Sequence, residues 1–182
     1  MFRFLRAPRL SWILFTLGVL LVVGFSLAQF AGRSLSLAPS SVSPGERAAL
    51  IAYGREVLAV RDEAYALAGQ VQHWELSGEK TAEAFLPLHQ QAEALLHRLQ
   101  ALVPPEKAAQ IHPQLVGAAE RSLEALSHRR NGLRTGSPQE KLTYRALSVI
   151  AHYELEGAFG AFWELYDRLR ITEEELVGAW GQ

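Results

Sequence analysis

Apolar residues recur along most of this chain at alternating spacings of three and four, the period of an amphipathic helix. From Pro44 to Leu76 the positions Leu50, Tyr53, Val57, Val60, Ala64, Leu67, Val71 and Trp74 form one unbroken stripe. Ile51, Leu58 and Tyr65 widen it on one flank, which suits a bundle better than a two-stranded coil. Ser43-Pro44-Gly45-Glu46 reads as a capping box with proline at the first helical position, and Ser77-Gly78 reads as the stop. A second helix is predicted over Thr81–Val103, with Phe85, Leu88, Ala92, Leu95, Leu99 and Leu102 on one face. Pro87 lies off that face and is expected to bend the helix or mark its true start.

Pro104-Pro105 ends the second helix and opens a third at once. The third carries Val116, Ala119, Leu123 and Leu126 as its stripe, is disturbed early by Pro113, and is expected to stop at Asn131-Gly132. Ser137-Pro138-Gln139-Glu140 repeats the first capping device and opens a fourth helix, rich in apolar residues from Leu142 to Leu169 and expected to be the most buried. Thr172 and Glu175 form a third box before a short terminal helix over 173–180. No strand pattern of useful length interrupts this series. The fold class expected is all-α: an antiparallel up-down four-helix bundle over 44–171, with a short helix and tail over 172–182.

Ahead of the bundle lies a run of a different kind. No charge occurs from Leu10 to Gly32, and Leu10–Phe30 as a helix would be about 31 Å long, close to the thickness of a bilayer's hydrocarbon core. Trp12 and Phe30 stand near its ends, where aromatic rings favour the interface. Arg3, Arg6 and Arg9 precede it, so residues 1–9 are expected in the cytoplasm, with the lipid bilayer as partner of 10–30 and residues 31–43 as a tether. The competing reading is a cleaved signal peptide, with Ser26-Leu27-Ala28 as the cleavage site. Both readings send the bundle to the extracytoplasmic side, the periplasm in a cell with two membranes.

Charge and composition narrow the function. Four of the 18 basic residues, Arg3, Arg6, Arg9 and Arg33, flank the apolar run, so the remainder has a net charge of about −5. Such a domain offers no cationic face to nucleic acid. The chain has no cysteine, which excludes disulfides, thiolate metal sites and thiol catalysis. Met1 is the only methionine, so haem held by methionine and histidine is excluded as well. Neither a phosphate loop nor a nucleophile elbow is present, and no cofactor is expected.

Three constellations remain. His89, Glu93 and His97 stand at i, i+4 and i+8 on the second helix, and a turn at Pro104-Pro105 would bring His89 level with Glu120 and His97 level with His112. These are weak metal candidates beside the plainer reading of a solvated helix face, and the Glu-x-x-His pairs of di-iron bundles are missing. Tyr153, Phe159, Phe162, Trp163 and Tyr166 crowd the fourth helix, as core or as ligand or docking aromatics, with His152 expected buried among apolar neighbours. Gly157 and Gly160 interrupt the same run. At the third loop His128, Arg129, Arg130 and Arg134 form a basic cluster, expected to pair with Glu75, Glu79 and Glu83 or to recruit an acidic partner.

The layout is similar to the four-helix extracytoplasmic sensor domains of chemotaxis receptors, a likeness of architecture. Those receptors return to the cytoplasm through a second membrane helix, whereas here a polar tail follows Trp180. The function expected is that of a membrane-tethered interaction or scaffold module without catalytic activity, binding another extracytoplasmic protein or itself. The alternative is a ligand- or metal-binding bundle of sensor type.

Overall fold

A computed structural model of the chain describes residues 42–77 and 80–177. They form five packed helices: α1 Pro44–Leu76, α2 Ala82–Ala101, α3 His112–Thr135, α4 Pro138–Arg168 and α5 Glu173–Val177, with a 3-10 turn at Glu106–Ala108 before α3. Among the described residues there is no strand, and no helix is long and apolar enough to cross a membrane. The segment Leu10–Phe30, with its anchor or signal-peptide readings, lies outside the described residues.

Local capping sets the helix starts. Ser43 Oγ accepts the Glu46 N–H at 3.2 Å, Thr81 Oγ1 the Ala84 N–H at 3.1 Å, and Ser137 Oγ the Glu140 N–H at 3.4 Å. Only the box at Thr172 is reciprocal: Thr172 Oγ1 accepts from the Glu175 N–H at 3.3 Å while the Thr172 N–H donates to Glu175 Oε2 at 2.9 Å. In the other two serine boxes the glutamate is drawn elsewhere, Glu46 toward Lys107 and Glu140 onto His128.

The second helix begins at Ala82 behind its Thr81 cap, close to the expected start, so Pro87 lies inside it and does not mark its beginning. Two boundaries depart from the sequence reading. The third helix does not open at Pro104-Pro105; the 3-10 turn intervenes and Pro113 falls in the first turn of α3, where its missing N–H is harmless. Nor does α3 stop at Asn131-Gly132. It runs to Thr135 and ends on Gly136 in the left-handed region (φ 69°), whose N–H returns to the Gly132 carbonyl at 2.9 Å. Gly132 serves packing instead: a Cβ there would come 3.2 Å from Glu140 Cβ at the start of α4.

Cross-contacts show each long helix antiparallel to its sequence neighbour. Arg98 of α2 reaches Glu63 and Glu56 of α1, His89 of α2 reaches Ser127 of α3, and Arg121 of α3 reaches Glu154 of α4. The core forms two clusters. One joins Leu50, Tyr53 and Val57 of α1 with Phe162, Tyr166 and Leu176; the other joins Leu67, Phe85 and Leu88, with Trp74, Leu126 and Leu133 against them. In the first cluster Tyr166 is fully buried, stacked on Phe162 at 4.4 Å, and donates to the Leu50 carbonyl at 2.6 Å. Gly54 makes the notch this ring occupies. Helix α5 is latched over the same end by a bidentate Arg47–Glu175 pair at 2.8 Å.

Two faces differ from the expected pattern. On α3 the buried residues are Leu115, Ala118, Ala125 and Arg129, one position before the stripe Val116, Ala119, Leu123 and Leu126, which is half-buried. A helix held between two neighbours buries both edges of its apolar arc, and here the smaller side chains face inward. Helix α4 is not the most buried, because Leu142, Val149, Ile150 and Tyr153 face solvent.

Candidate functional site

Helices α1 and α4 approach one another at Tyr166 with Leu50 and at Tyr65 with Glu156. Between these helices an open apolar groove enters the bundle, with a volume of about 300 Å³. Val57, Val60, Ala64, Leu67 and Val71 form the α1 wall, and Tyr144, Ser148, Ala151, Leu155 and Phe159 the α4 wall. Leu95 and Leu99 of α2 with Ala119, Ser122 and Leu126 of α3 make the floor. The groove follows from residue size. Ala64, Ala68, Ala119, Ser122, Ala125 and Ala151 face it together, and small side chains on three helices leave space that native packing would otherwise fill.

The lining is less polar than its composition suggests. Ser122 Oγ donates to the Ala118 carbonyl at 2.9 Å and Ser148 Oγ to the Tyr144 carbonyl at 2.8 Å, so both hydroxyls turn back onto their own helices. Polar groups gather at the rim. Tyr65 donates to Glu156 Oε1 at 3.2 Å, and its phenol titrates above the ordinary value through partial burial and the adjacent Glu156 charge. Arg61 lies over the Phe159 ring at 5.9 Å. His152 is exposed at the mouth, not buried as expected, with its ring 5.8 Å from that of Tyr153.

Beyond the far end of the groove stands a buried cation. Arg129 is only 7% exposed, donates to both carboxylate oxygens of Glu75 at 2.6 and 2.9 Å, and lies 5.3 Å from the Trp74 ring and 5.7 Å from the Tyr144 ring. Burial raises the Tyr144 phenol, helped by Glu75. The expected charge pairing of the basic cluster is realised here with Glu75; Glu79 lies outside the described residues, and His128 meets a different carboxylate, its Nδ1 lying 2.5 Å from Glu140 Oε2.

The histidine and carboxylate rows do not converge. His89 Nε2 meets Ser127 Oγ at 2.9 Å, and burial together with nearby Arg130 holds its imidazole below the ordinary value. Glu93 and His97 are exposed, and Glu120 accepts from Gln100 at 3.1 Å. Among the described residues no group of three or more His, Asp or Glu is placed to hold a metal ion. The expected levels are displaced because the α2–α3 hairpin pivots around residues 108–110, beyond the 3-10 turn, instead of at Pro104-Pro105. His112 meets the Tyr53 hydroxyl at 3.0 Å; burial lowers this imidazole and raises the Tyr53 phenol to about 12.

The aromatic run divides. Phe162 and Tyr166 are core, Trp163 packs against that core edge-on to Phe162, Phe159 lines the groove, and Tyr153 is 61% exposed. Sequence reasoning missed the groove and the burial of Arg129. The alanines and serine on the inner arc of α3 were the available signal, but they become a void only where Ala64 and Ala151 meet them. Compared with protein-family models, curated proteins and solved structures, the chain matches none.

Proposed function

We propose that this chain is a membrane-tethered, extracytoplasmic four-helix bundle without catalytic activity that holds a single lipid acyl chain in the groove between α1 and α4. The observation that carries this reading is an apolar slot of about 300 Å³ whose serine hydroxyls are satisfied by their own helices. Its volume is about twice that of an engineered apolar cavity that binds benzene, near 150 Å³, and lies at the small end of ligand pockets. Its α1 wall, Val57 to Val71, and its α4 wall, Tyr144 to Phe159, each span about 21–23 Å. A hydrocarbon core about 30 Å thick is two acyl chains deep, so the slot is long enough for one. Each buried methylene contributes about 0.8 kcal/mol, and about ten of them give a gross gain of about 8 kcal/mol. Part of this is offset by lost ligand freedom.

The anchor reading supports the same use. Leu10–Phe30 would set the bundle beside a bilayer, with the N-terminus in the cytoplasm, and cleavage after Ala28 would leave the domain on the same side. A second reading, a module that binds another protein or itself, is favoured by the apolar residues on the solvent face of α4.

The test is displacement of an environment-sensitive fluorescent fatty acid by palmitate from the full-length chain held in amphipol. Ala64→Phe with Ser122→Leu fills the slot, and is expected to weaken binding at least tenfold without lowering the melting temperature. A native chain that does not bind the probe, or a filled variant that binds equally well, removes the reading.

A further inference from the structure

Away from the groove, α4 presents an apolar line to solvent. Leu142 is 59% exposed, Val149 57%, Ile150 45% and Tyr153 61%, and Ala146 and Gly160 are exposed beside them. The spacing from Leu142 through Ala146 and Val149 to Tyr153 is that of one helix face. Apart from α4's own backbone, nothing among the described residues lies within 4 Å of where a side chain would begin at Gly157 or Gly160, so these glycines make no room for any described neighbour. Each nevertheless costs the helix about 1 kcal/mol relative to alanine.

Charge along the same helix is segregated. From Pro138 to Tyr153 the charged residues are Glu140, already held by His128, with Lys141 and Arg145; from Glu154 to Arg168 they are Glu154, Glu156, Glu164, Asp167 and Arg168, so the first half is net basic and the second net acidic. Glu154 is already engaged by Arg121 at 3.6 Å, and Glu156 accepts from Tyr65 through one of its two oxygens. Two parallel copies of α4 would set like charges side by side, whereas two antiparallel copies set the basic half of one against the acidic half of the other.

We infer that the solvent face of α4 docks on the same face of a second copy of this chain, antiparallel about a two-fold axis near Ala151. In that register Leu142 stands opposite Gly160 of the second copy, and Val149 opposite its Tyr153. Arg145 comes level with Gly157 of the second copy, within about one residue's rise, 1.5 Å, of its Glu156. Arg145 and Glu156 lie on the same flank of the helix, and a two-fold axis perpendicular to both helices brings equal flanks together, so the pair forms twice. Bulky residues then meet glycines, which is the close backbone approach that would explain keeping Gly157 and Gly160. The apolar line of this face lies on a different side of α4 from the groove, and the two share only Glu156 at the rim, so the inference does not require the groove reading. A face one helix wide is at the small end of specific interfaces, so a concentration-dependent, micromolar dimer is expected.

The experiment is light scattering and sedimentation of the full-length chain in detergent across the micromolar range. The chain is expected to pass from monomer to dimer. Val149→Glu with Tyr153→Glu should raise the dissociation constant at least about 100-fold, and both sites are exposed, so an unchanged melting temperature confirms that the variant folds. Arg145→Glu should weaken the dimer about tenfold, and adding Glu156→Arg should restore it. Within one chain these residues are about 16 Å apart along the helix, so restoration reports a contact between copies. The chain has no cysteine, so Leu142→Cys with Gly160→Cys reads the register directly through a disulfide-linked dimer. A chain monomeric throughout, a dimer indifferent to Val149→Glu with Tyr153→Glu, or a charge reversal that fails to restore association overturns the inference.

Discussion

Replacing Gly54 with alanine sets two effects of opposite sign against each other. Gly54 lies mid-helix in α1, where alanine is favoured by about 1 kcal/mol. The added Cβ, however, would meet Leu176 Cδ2 at 2.7 Å, the Tyr166 hydroxyl oxygen at 2.8 Å and Tyr166 Cε1 at 2.9 Å. Ordinary carbon contacts are about 3.5–4.0 Å. The tyrosine cannot easily yield, since it is stacked on Phe162 and its hydroxyl is fixed to the Leu50 carbonyl at 2.6 Å. Overpacking of this kind costs about 1–3 kcal/mol, and a disturbed hydrogen bond adds about 1 kcal/mol. The net expectation is a loss of about 1–3 kcal/mol, or a fall of roughly 3–10 °C for a domain of this size.

Gly69→Ala is the matched control. It lies in the same helix and, apart from that helix's own backbone, nothing among the described residues is within 4 Å of its Cβ position, so it should gain up to about 1 kcal/mol. The assay is thermal unfolding of the full-length variants by far-ultraviolet circular dichroism. Tyr166→Phe removes one of the three clashing atoms, so Gly54→Ala should cost less in its presence than alone. If Gly54→Ala melts at or above the Gly69→Ala control, the packing of Tyr166 against α1 is not as described.

Further outcomes follow from other contacts. Arg170 is the non-glycine residue with a positive φ, 53°, among the described residues; Arg170→Gly should stabilise the domain by about 1 kcal/mol in urea unfolding. Glu75→Ala leaves Arg129 buried without its carboxylate and should cost about 2–3 kcal/mol, whereas Glu75→Leu with Arg129→Met should be close to neutral. His89 and His112 both titrate below their ordinary value when folded, so the unfolded chain binds more protons between the folded values and about 6.5. Their contribution is intact above that window and is lost as pH falls through it; melting temperatures measured from neutral to mildly acid pH should fall, and less so in His89→Gln with His112→Asn.

What was legible in the sequence was local. The α1 boundaries follow from Ser43 and Ser77, and the α1 stripe from Leu50 to Trp74 is buried or half-buried throughout, because capping and periodicity act within a few residues. The inner arc of α3 was misjudged by one position, since Val116 and Leu115 are equally apolar and only the neighbours decide which turns inward. Gly132 resembled a stop but answers to Glu140, across a loop. The groove depends on alanines from α1, α3 and α4 meeting, a coincidence of volumes between helices that no single stripe records. The pairing of Arg129 with Glu75 was legible, but its burial was not, because Trp74 and Tyr144, which cover it, lie on two other helices.

The most direct test of the groove is the native mass of the full-length chain, released intact from the membranes of its own host. The expected result is a chain carrying the added mass of an acyl-bearing lipid, absent when Ala64→Phe and Ser122→Leu fill the slot. A bare native chain, or the same added mass on the filled variant, would contradict it.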